Sequence, residues 1–293
     1  MSAAVEQVPA RARDTRRGVP WRLVLHALPV LVILAVAIAP EPLAGAFGNG
    51  DPHRCNLGNS RGGARNGHPF GFDEQGCDLW ANVVHGTRSS VLIGLLVTAA
   101  IFVIAVLLGT LAAYYRGWVD TLISRVMDIV FGFPALVGMV IVLTMLGQRS
   151  VCTVSAVLAL FSWPPMTRIM RGSALAVADR DFVRAASGYG AAGLRVMVRH
   201  VVPNSIAPVL VLASLAVGSV ITAESALTFL GVGLRQPAIS WGVQLNAAQL
   251  TFRQHPHLLL APALFLSITV LSFVQLGEAI RRRLHPTHGR SVR

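Results

Sequence analysis

The 293-residue chain contains no lysine; all 25 of its basic residues are arginine. A nucleotide-binding P-loop sets a Lys against the β/γ-phosphates, so that kind of ATP site is excluded. Schiff-base chemistry and Ser/Lys catalysis are excluded with it. Charge of either sign is scarce, at 13% of residues, while 54% are hydrophobic. A soluble domain carries roughly a quarter charged residues, so this chain cannot cover a water-facing surface and belongs in a lipid bilayer. Only 13 residues are acidic, which leaves a formal charge of +12. Nucleic-acid binding gathers such charge into a patch interleaved with aromatics. Here the arginines flank apolar runs, and no nucleic-acid partner is expected.

Six stretches approach or exceed the roughly 20 apolar residues that cross a hydrocarbon core. They cover residues 23–39, 89–115, 129–148, 150–167, 201–223 and 258–277. Pro29, Pro134, the pair Pro164-Pro165, Pro203, Pro208 and Pro262 fall within them and read as kinks, because neighbouring helices re-satisfy the backbone groups that a membrane proline frees. With both termini placed in the cytoplasm, 18 arginines fall on the inner side and 7 on the outer, as the positive-inside rule requires.

The predicted fold class is therefore all-α, a polytopic membrane protein of six transmembrane helices. A cytoplasmic tail over 1–22 leads to a first transmembrane helix over 23–39 and an extracytoplasmic loop over 40–88. A core of five transmembrane helices over 89–280 follows, then a basic cytoplasmic tail over 281–293. Within the core, 168–200 is the largest cytoplasmic segment and 224–257 an outer segment. The run Phe229-Leu230-Gly231-Val232-Gly233 suggests a re-entrant or interfacial piece there, protected by the bundle. A cleaved signal peptide competes for the first span, with Ala37-Ile38-Ala39 as its cleavage site. Its 17 apolar residues exceed the usual core of about 7–15 and favour a retained helix.

The spans also lack acids and histidine. An ion-driven transporter places Asp, Glu or His inside the membrane to relay the coupling ion. Spans two to six have none; Asp128 stands at the entry to the third and Glu224 at the exit from the fifth, positions suited to caps or interfaces. The three Cys and nine His offer no pair at metal spacing in the bilayer. His255-Pro256-His257, without a carboxylate, reads as polar loop. No Gly-x-Ser-x-Gly elbow or His-Glu-x-x-His helix occurs. Neither an enzyme nor a cofactor of this chain is expected, and any transport draws its energy from a partner.

What is present is a short amphipathic segment between the fourth and fifth spans, Phe182-Val183-Arg184-Ala185-Ala186-Ser187-Gly188-Tyr189-Gly190. Asp181 is placed to cap a helix. Phe182, Ala185, Ala186 and Tyr189 then fall at i, i+3, i+4 and i+7, one apolar face about two turns long, and Gly190 closes it. Such a helix is unstable alone in water. Its face must dock, either on the chain's own bundle or in a partner's groove.

This segment resembles the cytoplasmic "EAA" loop of the permease subunits of ATP-binding-cassette importers, in the dipeptide, oligopeptide and nickel branch and within it the C-type subunit. That loop reads roughly Glu-Ala-Ala, a Gly four residues on, then His-x-x-Pro-Asn; here stand Arg184-Ala185-Ala186, Gly190 and His200-Val201-Val202-Pro203-Asn204. The stretch from His68-Pro69-Phe70-Gly71 to Gly76-Cys77-Asp78 is similar to the motif before the family's second span. Glu224-Ser225-Ala226-Leu227-Thr228-Phe229-Leu230-Gly231, Ser240-Trp241-Gly242 and Gly277-Glu278-Ala279 also fit, so the resemblance covers about residues 68–286.

The resemblance implies a permease in a bacterial cytoplasmic membrane, paired with a sister permease. ATPase subunits holding ATP and Mg would lie inside and a substrate-binding protein outside, with short peptides as substrate. Nickel or another chelate is the alternative within the family, and a non-transporting membrane scaffold the alternative outside it. Residues 182–190 would couple to the ATPase. Two departures stand out. Arg184 replaces the family's Glu, and Cys77 replaces an Arg in a loop that already holds Cys55. Two cysteines in an outer, oxidising loop suit a disulfide, with two separate thiols as the alternative.

Overall fold

The computed structural model describes residues 21–48 and 50–284. Apart from residues 21–22 and 281–284, the two predicted tails lie outside the described residues. α1 (Trp21–Ile38) and the single turn α2 (Glu41–Ala44) lead through an irregular loop to α3 (Leu79–Tyr115). At about 1.5 Å per residue, the 37 residues of α3 outreach a hydrocarbon core and define two ends of the molecule. α3 begins at Leu79 and not at residue 89 because Asp78 caps it, its carboxylate accepting from the Trp80 N–H at 3.0 Å. His85 and Arg88 lower the hydropathy of these first turns without disturbing their backbone hydrogen bonds.

The stretch 129–148 is not one straight span. It is divided between α4 (Gly117–Gly132) and α5 (Ala135–Leu146), which meet at 86°. Pro134 has no N–H to continue the helix and drives the residue before it into the extended region; Phe133 sits at φ −94°, ψ 134°. α6 (Val151–Ala178), by contrast, runs through Pro164 and Pro165 and past residue 167.

After α7 (Asp181–Gly188) and α8 (Gly193–Val196), a π-helical turn over Met197–Val201 and α9 (Val202–Ser205) lead into α10 (Ala207–Phe229). The predicted span 201–223 is thus shifted, and Glu224 lies inside a helix instead of at its exit. Pro208 occupies the first turn of α10, where a missing N–H costs nothing, while Pro203 comes just after the π-helical turn. α11 (Trp241–Ala248) and α12 (His257–Leu284) complete the chain.

Among the described residues, α3, α10 and α12 are long and apolar enough to cross a membrane, and the bent pair α4 and α5 adds a fourth if counted as one span. The apolar stretch of α1, Leu23–Ile38, is shorter than the roughly 20 residues of a spanning helix. Ile93, Val97 and Ile101 of α3 pack with Leu158, Met166 and Met170 of α6 in the main core. A side chain at Gly109 would begin 2.8 Å from the Met170 Cβ, so glycine sets how closely these helices approach. A second cluster joins Leu79, Val83, Ile221, Trp241, Leu258 and Phe273 of α3, α10, α11 and α12 with Val30 of α1. Charge ties α4 to α6: Arg171 donates from Nε and Nη2 to the two Asp120 oxygens, and Arg168 Nη2 lies 3.1 Å from Asp128 Oδ1.

Candidate coupling site

The short helix expected over residues 182–189 is present as α7, at the end of the molecule where α3 finishes. Its start is not capped as the sequence suggested. The N-cap is Arg180, without a side-chain cap bond, and Asp181 is the first helical residue. There its carboxylate faces the positive end of the helix dipole.

The apolar face also divides differently. Val183 is 2% exposed and, with Ala186, packs into the main core. Phe182 is 47% exposed and Tyr189 93% exposed, and Arg184, Ala185, Ser187 and Gly188 are exposed with them. The helix therefore has a seat on its own bundle and a separate outward surface. The Phe182 ring lies 6.5 Å from that of His200, which joins α7 to the π-helical turn.

The end of α7 is fixed by its backbone. The Gly190 N–H donates to Ser187 O at 3.0 Å and the Ala191 N–H to Ala186 O at 3.3 Å, the paired bonds of a Schellman motif. Gly190 supplies the left-handed residue that this motif needs, at φ 80°. Just before the start of α7, Asp179 Oδ1 lies 3.5 Å from Arg184 Nη2 and 2.8 Å from Arg116 Nη2. The hydrogen bond from Arg116, more than the charge of Arg184, holds the Asp179 carboxyl below its ordinary value. The pairing of Asp179 with Arg116 leaves no trace in the sequence, because residues 63 apart carry no shared local pattern.

At the opposite end, the loop before α3 is joined by a disulfide between Cys55 and Cys77, which also form an isolated antiparallel bridge. Asp73 accepts from the N–H groups of Gln75 and Cys77 at 2.9 and 2.8 Å. Burial nevertheless raises its carboxyl above the usual value. Asp78 is fully buried against His68 Nδ1 at 3.0 Å. Trp241, also fully buried, donates from its indole to Val83 O at 2.9 Å and so fastens α11 to α3. Glu224, buried in α10, accepts from Thr228 Oγ1 at 2.9 Å and Ser225 Oγ at 3.2 Å. Thr228 in turn accepts the Leu234 N–H at 3.0 Å, so the carboxylate braces the turn that follows α10.

Among the described residues, no group of three or more His, Cys, Asp or Glu is placed to hold a metal ion. The rings of His255 and His257 meet edge to face at 6.0 Å.

The glutathione transport system permease protein GsiD of Pectobacterium atrosepticum is 32% identical over 287 residues, covering 94% of this chain and 93% of that protein. GsiD of Escherichia coli O6:K15:H31 is 33% identical over 260 residues, 89% of this chain and 84% of that one. The dipeptide transport system permease protein DppC of Alkalihalophilus pseudofirmus is 30% identical over 274 residues, 91% and 90% of the two chains. A crystal structure of an amino acid ABC transporter with histidines shares the fold, with a TM-score of 0.53 at 16% identity over 69% of this chain and 94% of that one. Residues 105–287 match the binding-protein-dependent transport system inner membrane component family, and the chain belongs to that family.

Proposed function

We propose that the chain is the C-type permease subunit of an ATP-driven importer that takes up short peptides across a bacterial cytoplasmic membrane. In this reading it has six spans with both termini in the cytoplasm. It forms half of the pathway with a sister permease, couples to ATPase subunits that bind ATP and Mg, and receives substrate from an extracytoplasmic binding protein. The observation that carries the reading is α7. It is seated on the bundle through Val183 and Ala186 yet presents Phe182 and Tyr189 outward, as a rigid knob for a partner's groove.

The relatives named above support a peptide substrate, since glutathione is itself a tripeptide. None of the three is named for a metal or for a scaffold role. The inward arginines of residues 168–200 and the arginines at 281–283 support the orientation.

Co-expression with the sister permease, ATPases and binding protein, followed by reconstitution in liposomes, tests this. Peptide-loaded binding protein should stimulate ATP hydrolysis and peptide accumulation together. Hydrolysis indifferent to the loaded binding protein would overturn the importer reading, and stimulation by a nickel chelate but no peptide would overturn the substrate. Orientation is tested separately with Ser291→Cys in a Cys152→Ser background. The introduced thiol should resist impermeant reagent in intact cells and react after lysis.

A further inference from the structure

At the end opposite the disulfide loop, the first turns of α1 and the last turns of α12 lie side by side. They enclose a cavity of about 480 Å³. Its wall is apolar at Leu23, Val274 and Ala279 and basic at Arg282 and Arg283. Glu278, the one carboxylate in the lining, is already engaged: Arg281 donates to both of its oxygens at 2.8 Å, and Arg282 donates to it at 3.2 Å. Among the described residues no carboxylate lies within ion-pair distance of Arg283. The mouth therefore carries net positive charge with donors to spare.

The groove continues onto an apolar surface. Val24, Leu25 and Leu28 of α1 and Leu271 and Val274 of α12 are all 40% or more exposed. In a membrane such a surface is covered by acyl chains. Trp21, at the start of α1, marks the same level, since Trp gathers at the boundary between hydrocarbon and headgroups. A basic recess between membrane helices at headgroup depth is suited to an anionic headgroup. A soluble anion would satisfy the arginines and leave the apolar wall uncovered.

We propose that this groove is a binding site for an anionic phospholipid, with Arg282 and Arg283 on the headgroup phosphate and the acyl chains along α1 and α12. Occupancy would hold α1, whose apolar stretch is short, against the core. The site depends on membrane residence and not on the identity of the transported substrate.

The test uses the full-length chain in its purified complex, in neutral detergent. Native mass spectrometry counts bound phosphatidylglycerol, with phosphatidylcholine and inorganic phosphate as parallel arms. Phosphatidylglycerol should be retained, phosphatidylcholine displaced, and inorganic phosphate should not compete. Arg282→Ala with Arg283→Ala should weaken retention roughly thirtyfold, at about fivefold per arginine near an anionic headgroup. Arg195→Ala with Arg199→Ala removes equal charge from two exposed residues that do not line the groove and should leave retention unchanged. Ala279→Phe fills the groove without altering charge and should expel the lipid; it decides the matter should the double arginine variant fail to assemble. Equal loss from the two arginine pairs, retention in Ala279→Phe, equal binding of phosphatidylcholine, or displacement by inorganic phosphate would each overturn the site.

Discussion

Phe182 and Val183 are neighbours in sequence but face different surroundings on α7: Val183 is 2% exposed in the main core and Phe182 is 47% exposed. A helix rotates about 100° per residue, so one short helix can carry a seat and a knob at once. The seat makes a two-turn helix persistent where it would melt alone in water. The knob is then presented at no further ordering cost to the partner.

This division predicts two distinct defects. Phe182→Ala and Tyr189→Ala should leave the chain folded and inserted but weaken its hold on the ATPase. Burial of a large side chain is worth about 1.5–3 kcal/mol, so co-purification should fall roughly ten- to a hundredfold. Val183→Asp puts an unpaired carboxylate into the core and should unseat α7 itself. Trypsin should then cut at Arg180 or Arg184 in that variant and not in Phe182→Ala. Identical proteolysis of the two variants would show that α7 has no separate seat.

Arg184, which stands where the resemblance implies Glu, should matter little on its own. It is exposed, and its nearest carboxylate, Asp179 at 3.5 Å, is held mainly by Arg116. Solvent screens an exposed pair and leaves it little net stabilisation, so Arg184→Ala should change receptor-stimulated hydrolysis less than Phe182→Ala does. The sign of the pH effect follows from the lowered carboxyl of Asp179. Its contribution is present above the ordinary carboxylate value and is lost as pH falls through the lowered one. The ratio of wild-type to Arg184→Ala activity should therefore stay flat across the neutral range.

The apolar runs and the family motifs were legible in the sequence because each is local: a run of residues in lipid, or a few letters at fixed spacing. What stayed hidden depended on partners distant along the chain. The early start of α3 needed the Asp78 cap, and hydropathy hides a cap among polar residues. Pro134 and the pair Pro164-Pro165 look alike as letters, yet one breaks a span at 86° while the helix carrying the other two continues; packing decides between them. Spacing alone places the apolar face of α7 on Phe182, Ala185, Ala186 and Tyr189. Spacing gives the set of neighbours but not which side meets the bundle, and Val183 claimed it.

Gly190 separates backbone from side-chain effects. It sits at φ 80°, and a Cβ added there would meet nothing within 4 Å. Any cost of substitution is therefore conformational. Val is poorly tolerated in the left-handed region, at about 1–3 kcal/mol, whereas Asn enters it more readily. Gly190→Val should loosen the ATPase as Phe182→Ala does, while Gly190→Asn should retain most of the coupling. Equal activity of the two variants would mean that the Schellman turn does not orient α7.

The remaining prediction concerns the other end of the molecule. Cys55 and Cys77 are 22 residues apart, and closing a loop of that size stabilises by roughly 3 kcal/mol in the chain-entropy model. The loop is rich in glycine and polar residues, and its apolar contacts are confined mainly to buried Phe72 and the Phe47, Phe70, Trp80 and Phe265 rings. The crosslink should therefore matter most for local order. Cys55→Ser with Cys77→Ser should leave the spanning helices intact, raise hydrogen exchange across residues 51–77, and weaken engagement of the outer binding protein. Alkylation of the untreated complex followed by mass spectrometry should modify the exposed Cys152 and spare the other two. Modification of all three thiols without reductant would refute the bridge. Unchanged exchange in the double serine variant would instead assign the loop's order to Asp73 and Asp78, whose bonds to Gln75, Cys77 and His68 would then suffice.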